Sequence, residues 1–477
     1  MASPAIRHEP SPAHSNISQM ESEKQTAAEA GNAPLAPASE IREEITPAVQ
    51  SRVGSYRWLI CTLLFLATTI NYVDRQILSL VKPILDKELG WSNTQFGEVN
   101  AAFQGAYAVG LLGFGWLVDR FGTKIGYGLS IAFWSVAAVC HALVGSVTGF
   151  KFVRVFLGLS ESGNFPSAIK AVALWFPRKE RAYATSLFNS GANVGAILAP
   201  ATVPFLASYG GWKLPFVVAG IAGFLWLVFW WWLYSTPDRH PQIGKAELAY
   251  IRSDREADAR GQGVSWLVLL RYPQTWSFIV AKFMTDPVWW FFLIWLPDYF
   301  NKTKGLDIKK LGPPIVVIYS IVTVLSIAGG WLTNYLVLCG WTSNKARKSC
   351  MFLFALCVVP VLFIKGAGLW GAVGLIGLAA AAHQAWSANL FTTVSDMFPK
   401  RAVASVVGIG GMAGSIGGLM FPVYAGRLLD RFEKAHDTNT GYGILFGICA
   451  GAYVVAFFLN HLLAPRFEQI TLREIGK

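Results

Sequence analysis

Four charged side chains stand inside stretches that are otherwise apolar: Asp74 and Arg75 in one, Arg154 and Glu161 in another. A charge at the centre of a membrane-length helix costs on the order of 2.5 to 3.5 kcal/mol, so each of the four requires a partner or a task. Arginine stays charged at any relevant pH, and its planar guanidinium offers two parallel hydrogen bonds, which suits a carboxylate. Carboxyl groups do complementary work. Burial favours their neutral form and a nearby arginine the charged form, so a change of partner loads or releases a proton. Arg75 is therefore the candidate for holding an anion, the alternative being a permanent salt bridge with a buried acid. Asp74, Glu161 and Arg154 are the candidates for proton exchange, the alternative being a static network that locks helices together.

Spacing refines these roles. Asp74 and Arg75 are neighbours, about 100° apart on a helix, and face different surroundings. Asn71 and Tyr72 precede Arg75 by one turn and share its face. Gln104 and Tyr107, also one turn apart, can add hydrogen bonds directed at hydroxyls, although Tyr107 suits packing nearly as well. Arg154 and Glu161 lie two turns apart on one face, about 10.5 Å along the axis, too far for a simple pair. The expectation is that Arg154 pairs with Asp74 while Glu161, deeper, stays free to exchange a proton. Asn189 and Asn193 share a face and can bind hydroxyls or bridge helices. Lys282 and Asp286, at i, i+4, read as a structural bridge. The stripe His383, Trp386, Asn389, Thr393 presents an aromatic plate with polar groups, the surface a sugar-like ligand needs. His383 alone reads as a satisfied buried histidine. Among Trp289, Trp290 and Trp295, which suit a cavity wall or an interface belt, one of the first two is favoured for the wall.

The elements that must position these groups are membrane spans. The 477 residues are 53% hydrophobic and only 14% charged, a composition unlike that of soluble domains. Apolar runs of spanning length fall near 57–80, 96–117, 125–145, 149–174, 182–206 and 214–236, then 273–300, 312–338, 350–365, 369–396, 403–428 and 441–463. The domain reading is a disordered tail over 1–52, rich in Ala, Pro, Ser and Glu, a six-helix half over 53–236 and a charged cytoplasmic linker over 237–272. A second half over 273–465 and a tail over 466–477 complete it. The fold class is thus an all-α membrane protein of twelve transmembrane helices in two halves. The net charge of +12 is spread over many short loops, which argues against nucleic acid. Cys61, Cys140, Cys339, Cys350, Cys357 and Cys449 lie in or beside apolar segments without CxxC spacing and read as buried small hydrophobes. No catalytic or metal-ligand constellation appears, so neither an enzyme nor a cofactor is expected. The Gly408–Gly418 run lacks the strand and the acid of a phosphate-cradling fingerprint. Its Gly410, Gly414 and Gly418 form a close-packing helix face.

The halves repeat each other. Phe176-Pro177 leading to Pro200 recurs at the same offset as Phe398-Pro399 leading to Pro422, and Gly115-Trp116-Leu117 recurs as Gly330-Trp331-Leu332. Repeats of this kind place a ligand site at their interface near the bilayer midplane. Inner loops carry a modest excess of Lys and Arg if both ends are cytoplasmic, tempered by Lys302, Lys304, Lys309 and Lys310 in one outer loop.

Gly115-x-x-x-Asp119-Arg120-x-Gly122-x-Lys124 resembles the cytoplasmic loop signature of the major facilitator superfamily, where glycines allow a tight turn and close packing and Asp119 caps or pairs with helix ends. Asn71-Tyr72-Val73-Asp74-Arg75, Arg154-x-x-x-Gly158-x-x-Glu161 and Trp175-Phe176-Pro177-x-x-Glu180-Arg181 resemble the anion:cation symporter family. Asp286-Pro287-Val288-Trp289-Trp290 and His383-Gln384-x-Trp386-Ser387-x-Asn389 are most similar to its hexuronate branch. The resemblance covers about 56–465 and implies inner-membrane, proton-coupled symport of a sugar-acid anion by a monomer in the lipid bilayer. Exporters or facilitators of other organic anions, and a non-transporting receptor, are the competing functions.

Overall fold

The computed structural model describes residues 54–253 and 265–470. The tail read over 1–52 lies outside them, as do 254–264 of the linker, 471–477 and the side chain of Asp119. The helices are α1 (Tyr56–Leu89), α2 (Asn93–His141), α3 (Val147–Glu161), α4 (Asn164–Trp175), α5 (Arg178–Gly210), α6 (Lys213–Leu233), α7 (Lys245–Arg252) and α8 (Trp266–Leu269). The chain continues with α9 (Pro273–Lys304), α10 (Ile308–Leu338), α11 (Ser343–Val358), α12 (Leu369–Met397), α13 (Lys400–Lys434) and α14 (Thr438–Leu463).

Among the described residues ten segments are long and apolar enough to cross a membrane, α2 counting twice because it divides into Asn93–Val118 and Arg120–His141. The α3–α4 pair and α12, which carries His383 and Gln384, complete the twelve. The division of α2 rests on Gly122, whose φ of +83° lies where a Cβ is disfavoured. At Gly115, by contrast, a Cβ would meet nothing within 4 Å, so the close packing expected of that glycine is absent.

Three boundaries differ from the sequence expectation. The first span does not stop near 80 but runs to Leu89, where Gly90 closes it in the left-handed conformation, and so adds Lys82 and Asp86 to the helix. The fourth span is broken at Ser162-Gly163, immediately after Glu161, where Gly163 lies close against Phe114 and Ser130. The ninth begins earlier, at Ser343 behind a Thr342 cap, and ends in a 3-10 turn over Val359–Gly366. Several helix starts, those of α2, α3, α10, α11 and α14, are capped by short polar side chains. At Ser92 the hydroxyl accepts from the Gln95 amide at 3.1 Å while the Gln95 side chain accepts from the Ser92 amide at 2.9 Å.

Small residues set the helix spacing. Gly191 and Gly195 seat α5 on α1 at Phe65, Thr69 and Tyr72, and Gly158 seats α3 on α2 at Phe103 and Ala106. The linker also folds back. Glu247 on α7 is buried and accepts from the amides of Tyr56 at 3.2 Å and Arg57 at 3.1 Å, capping α1 from a distant part of the chain.

Candidate functional site

The four charges singled out from sequence converge. Arg75 on α1 donates from Nε to Glu161 Oε2 at 2.7 Å, joining α1 to the broken end of α3. The guanidinium sits among aromatic rings, its carbon 4.6 Å from the centroid of Tyr107, 5.3 Å from Tyr72, 5.4 Å from Phe103 and 5.9 Å from Trp290. Arg154 faces Phe103 from another side, at 5.6 Å. Asp74, Arg154 and Glu161 are 2%, 1% and 0% exposed and the Arg75 side chain 9%, so the group is largely out of water.

The expected Arg154–Asp74 pair does not form. Both oxygens of Asp74 and two nitrogens of Arg154, Nε and a terminal one, lack hydrogen-bond partners among the described residues, while Glu161, expected to be free, is bonded to Arg75 through one oxygen and leaves Oε1 unpartnered. Arg154 and Glu161 both lie in α3, Glu161 at its last position, so they stay two turns apart on one face; Arg75, next to Asp74 on α1, takes the carboxylate of Glu161. The result is one singly bonded ion pair beside an acid with neither oxygen bonded and a guanidinium with two unbonded nitrogens, a costly arrangement in a buried place and one that a proton or an incoming anion can relieve.

The other sequence candidates divide into two groups. Tyr72 and Tyr107 stand against Arg75; Asn71 is buried on the adjoining turn with neither amide atom bonded, and Gln104 is buried on α2. Asn193 on α5 is half-buried between the two glycines that seat that helix on α1. The stripe on α12 is not an open plate in this structure. Trp386 is fully buried, edge-on to Tyr453 at 5.8 Å, and Asn389 accepts from Thr333 at 3.0 Å and donates to Ala385 O at 2.9 Å. His383 bonds to the Tyr453 hydroxyl and stacks on Trp289. Lys282 and Asp286 make the bridge read from their spacing, at 2.7 Å.

A second polar network went unread in the sequence. At the end of the bundle opposite the linker, Lys82 on α1 is 1% exposed and donates to Asp298 on α9 at 2.6 Å, Asp86 at 2.7 Å and Asn93 at 3.1 Å. Asp298 also accepts from the Tyr442 hydroxyl. Around it, Lys302 pairs with Glu433 at 2.9 Å, and the amides of Asn93 and Thr94 donate to Asp430 at 2.8 and 2.9 Å. Gly97 against Pro422, Gly426 against Asn93 and Gly312 against Pro200 bring the helices together at this same end. Lys82 and Asp298 were overlooked because each sits at the margin of an apolar run, where a charge passes for a loop residue; the signal was two opposite charges at the C-terminal ends of the first spans of the two halves.

The chain belongs to the Major Facilitator Superfamily, whose sequence profile matches residues 64–422. It is a multi-pass membrane transporter and not an enzyme. It is similar to the "Hexuronate transporter" of Escherichia coli (strain K12), 29% identical over 430 residues that cover 88% of this chain and 98% of that protein. It is also similar to the "Probable galactarate/D-glucarate transporter" of Bacillus subtilis (strain 168), 30% identical over 444 residues covering 88% and 93%. Among solved structures, an inward-facing, occupied bacterial homolog of the human lysosomal transporter Spinster matches with a TM-score of 0.69 at 19% identity, covering 87% of this chain and 98% of that one. A D-xylose–proton symporter matches at 0.67 and 16%, covering 87% and 99%. At those identities the two structures speak for the fold alone.

Proposed function

We propose that this superfamily member carries a sugar-acid anion, a hexuronate, together with protons, by rocking the halves 53–236 and 273–465 about a site centred on Arg75. The observation that carries this is the Arg75–Glu161 bond inside a ring of aromatic side chains. A guanidinium engaged through Nε with one carboxylate is held away from another. Protonating Glu161 removes its charge and weakens its hold, which frees the planar fork for the carboxylate of the ligand. Anion and proton then favour each other's binding because they act on the same pair. Asp74, without a bonded partner, offers a second place for a proton, and Arg154 supplies the positive field that either acid answers when charged. Names of relatives that carry hexuronates and aldarates fit a carboxylate ligand bearing hydroxyls, for which Asn71, Gln104 and Asn193 would supply amides. The transporter works in the inner membrane as a monomer, with both ends of the chain cytoplasmic.

The test is uptake of radiolabelled glucuronate and galacturonate into proteoliposomes under an imposed pH gradient, with Glu161→Gln in parallel. The expected result is gradient-driven accumulation in the wild type, and exchange without accumulation in the variant. Uptake indifferent to the pH gradient in the wild type overturns the coupling, and no flux of any sugar acid by folded protein overturns the substrate.

A further inference from the structure

We propose that Trp290 is the second half's contribution to this site, and that its indole makes the site favour sugar acids closed into a pyranose ring over open-chain acids of equal charge; this rests on Arg75 holding the carboxylate. The two adjacent tryptophans of α9 have different surroundings. Trp289 is 8% exposed and committed inside the second half, stacked on His383 at 5.3 Å with 9° between the planes and edge-on to Tyr319 at 6.2 Å. Trp290 points about 100° away round the helix. It is half-buried, and its ring lies 5.9 Å from the Arg75 guanidinium carbon on the first half. The other rings about Arg75, those of Tyr72, Phe103 and Tyr107, all belong to the first half. Trp290 is thus the ring that arrives from across the interface.

Its position is built into α13. A Cβ on Gly418 would lie 2.7 Å from Trp290 Cδ1 and 3.0 Å from Nε1, so only glycine lets the indole lie where it does. One turn earlier, Gly414 makes the same room for the carboxyl of Asp286. The glycine face of α13 therefore does more than bring helices close: it seats the α9 side chain that reaches Arg75.

A carboxylate on Arg75 places the neighbouring carbons of its ligand beside this indole. In a pyranose acid those carbons carry axial hydrogens that form a flat apolar face, which an indole accepts well. An open-chain acid bears hydroxyls along a flexible chain and presents no such face, so the indole gains little from it. Arg75 cannot tell the two apart, because both offer it the same carboxylate. Discrimination falls to the ring.

The experiment measures KM for labelled glucuronate, a pyranose acid, and labelled galactonate, an open-chain acid, in proteoliposomes of wild type, Trp290→Ala, Trp290→Phe, Gly418→Ala and Arg75→Ala. The wild type is expected to favour glucuronate. Trp290→Ala should raise the glucuronate KM about tenfold and the galactonate KM less than threefold, so that the preference collapses. Trp290→Phe should restore most of it, and Gly418→Ala, which keeps the indole but displaces it, should shift the preference in the same direction as the alanine variant. Equal effects of Trp290→Ala on both acids, or none on either, overturn the inference. If Arg75→Ala abolishes uptake of both acids while Trp290→Ala leaves their ratio intact, only the role of Trp290 falls; if Arg75→Ala leaves both unchanged, the carboxylate site itself falls with it.

Discussion

The Lys82–Asp298 pair joins the first half to the second at 2.6 Å, with the two residues 1% and 0% exposed. For this end of the bundle, the outer one in the proposed orientation, to open, α1 and α9 must part there, and both charges then meet water. Lys82→Met removes the cation and keeps an apolar stem of similar length. In the closed state Asp298 is left with the Tyr442 hydroxyl and with Lys302 at 3.9 Å, a poor substitute for a direct partner. Breaking a buried pair costs 3–5 kcal/mol, and the residual contacts put this case near the lower figure, about 3 kcal/mol. The open state bears none of that cost, so the equilibrium should move toward it roughly 150-fold. The assay is labelling of Val99→Cys by a membrane-impermeant maleimide in right-side-out vesicles, with Cys140, Cys339 and Cys357 replaced by alanine. Val99 is fully buried behind the lock, so labelling reports opening. The cysteine should be nearly inert alone and react quickly with Lys82→Met, and adding Asp298→Asn, which keeps a partner for Tyr442 but carries no charge, should restore protection. Labelling of folded Lys82→Met at the starting rate refutes the lock. Labelling of the double variant as fast as that of the single refutes the unpaired charge as its cause.

Two further outcomes follow from the same bookkeeping of buried bonds. Glu247→Gln keeps an oxygen for the α1 amides but loses the charge that faces Arg57 at 3.3 Å, which costs about 1–2 kcal/mol. The expected result is a melting temperature lower by a few degrees in detergent, with the ratio of glucuronate to galactonate uptake unaltered. His383→Phe leaves the Tyr453 hydroxyl, among the described residues, with only the Thr285 carbonyl at 3.4 Å, so stability should fall by about 1–3 kcal/mol while uptake still follows an imposed pH gradient; loss of that dependence would make His383 a proton carrier.

Much of this was legible before any coordinates. Apolar runs of spanning length predicted all twelve membrane segments, because in a bilayer every backbone group must bond within its own helix and length alone marks the span. The central charges were equally plain, since Arg75 and Glu161 have no business in apolar stretches without a reason. Their pairing was not. It depends on how α1 and α3 face each other, which is set by packing between residues far apart in sequence, such as Gly158 of α3 against Phe103 and Ala106 and Gly195 of α5 against Thr69 and Tyr72. The same holds for the α12 stripe. Its periodicity marks one face correctly, yet whether that face meets a ligand or Thr333 and Tyr453 is decided by neighbouring helices. Glu247 could not be foreseen as a cap for α1, because nothing local ties residue 247 to residue 56.

The two networks share a helix, and this makes them one device. Arg75 and Lys82 are two turns apart on α1, about 10.5 Å along the axis, and a helix transmits a tilt over that distance almost rigidly. Arg75 is bonded within the first half and Lys82 across to the second. An α1 held by both Glu161 and Asp298 has its position fixed at two points, so releasing one alters the cost of releasing the other. Coupling of this kind is reciprocal. Glu161→Gln, which weakens the inner hold as a proton would, should therefore change the labelling rate of Val99→Cys at the Lys82–Asp298 end, some distance from the substitution. In the Lys82→Met background, where the outer hold is already gone, the same substitution should change that rate much less. Equal effects in both backgrounds would mean that the networks act independently and that α1 does not carry the signal between them.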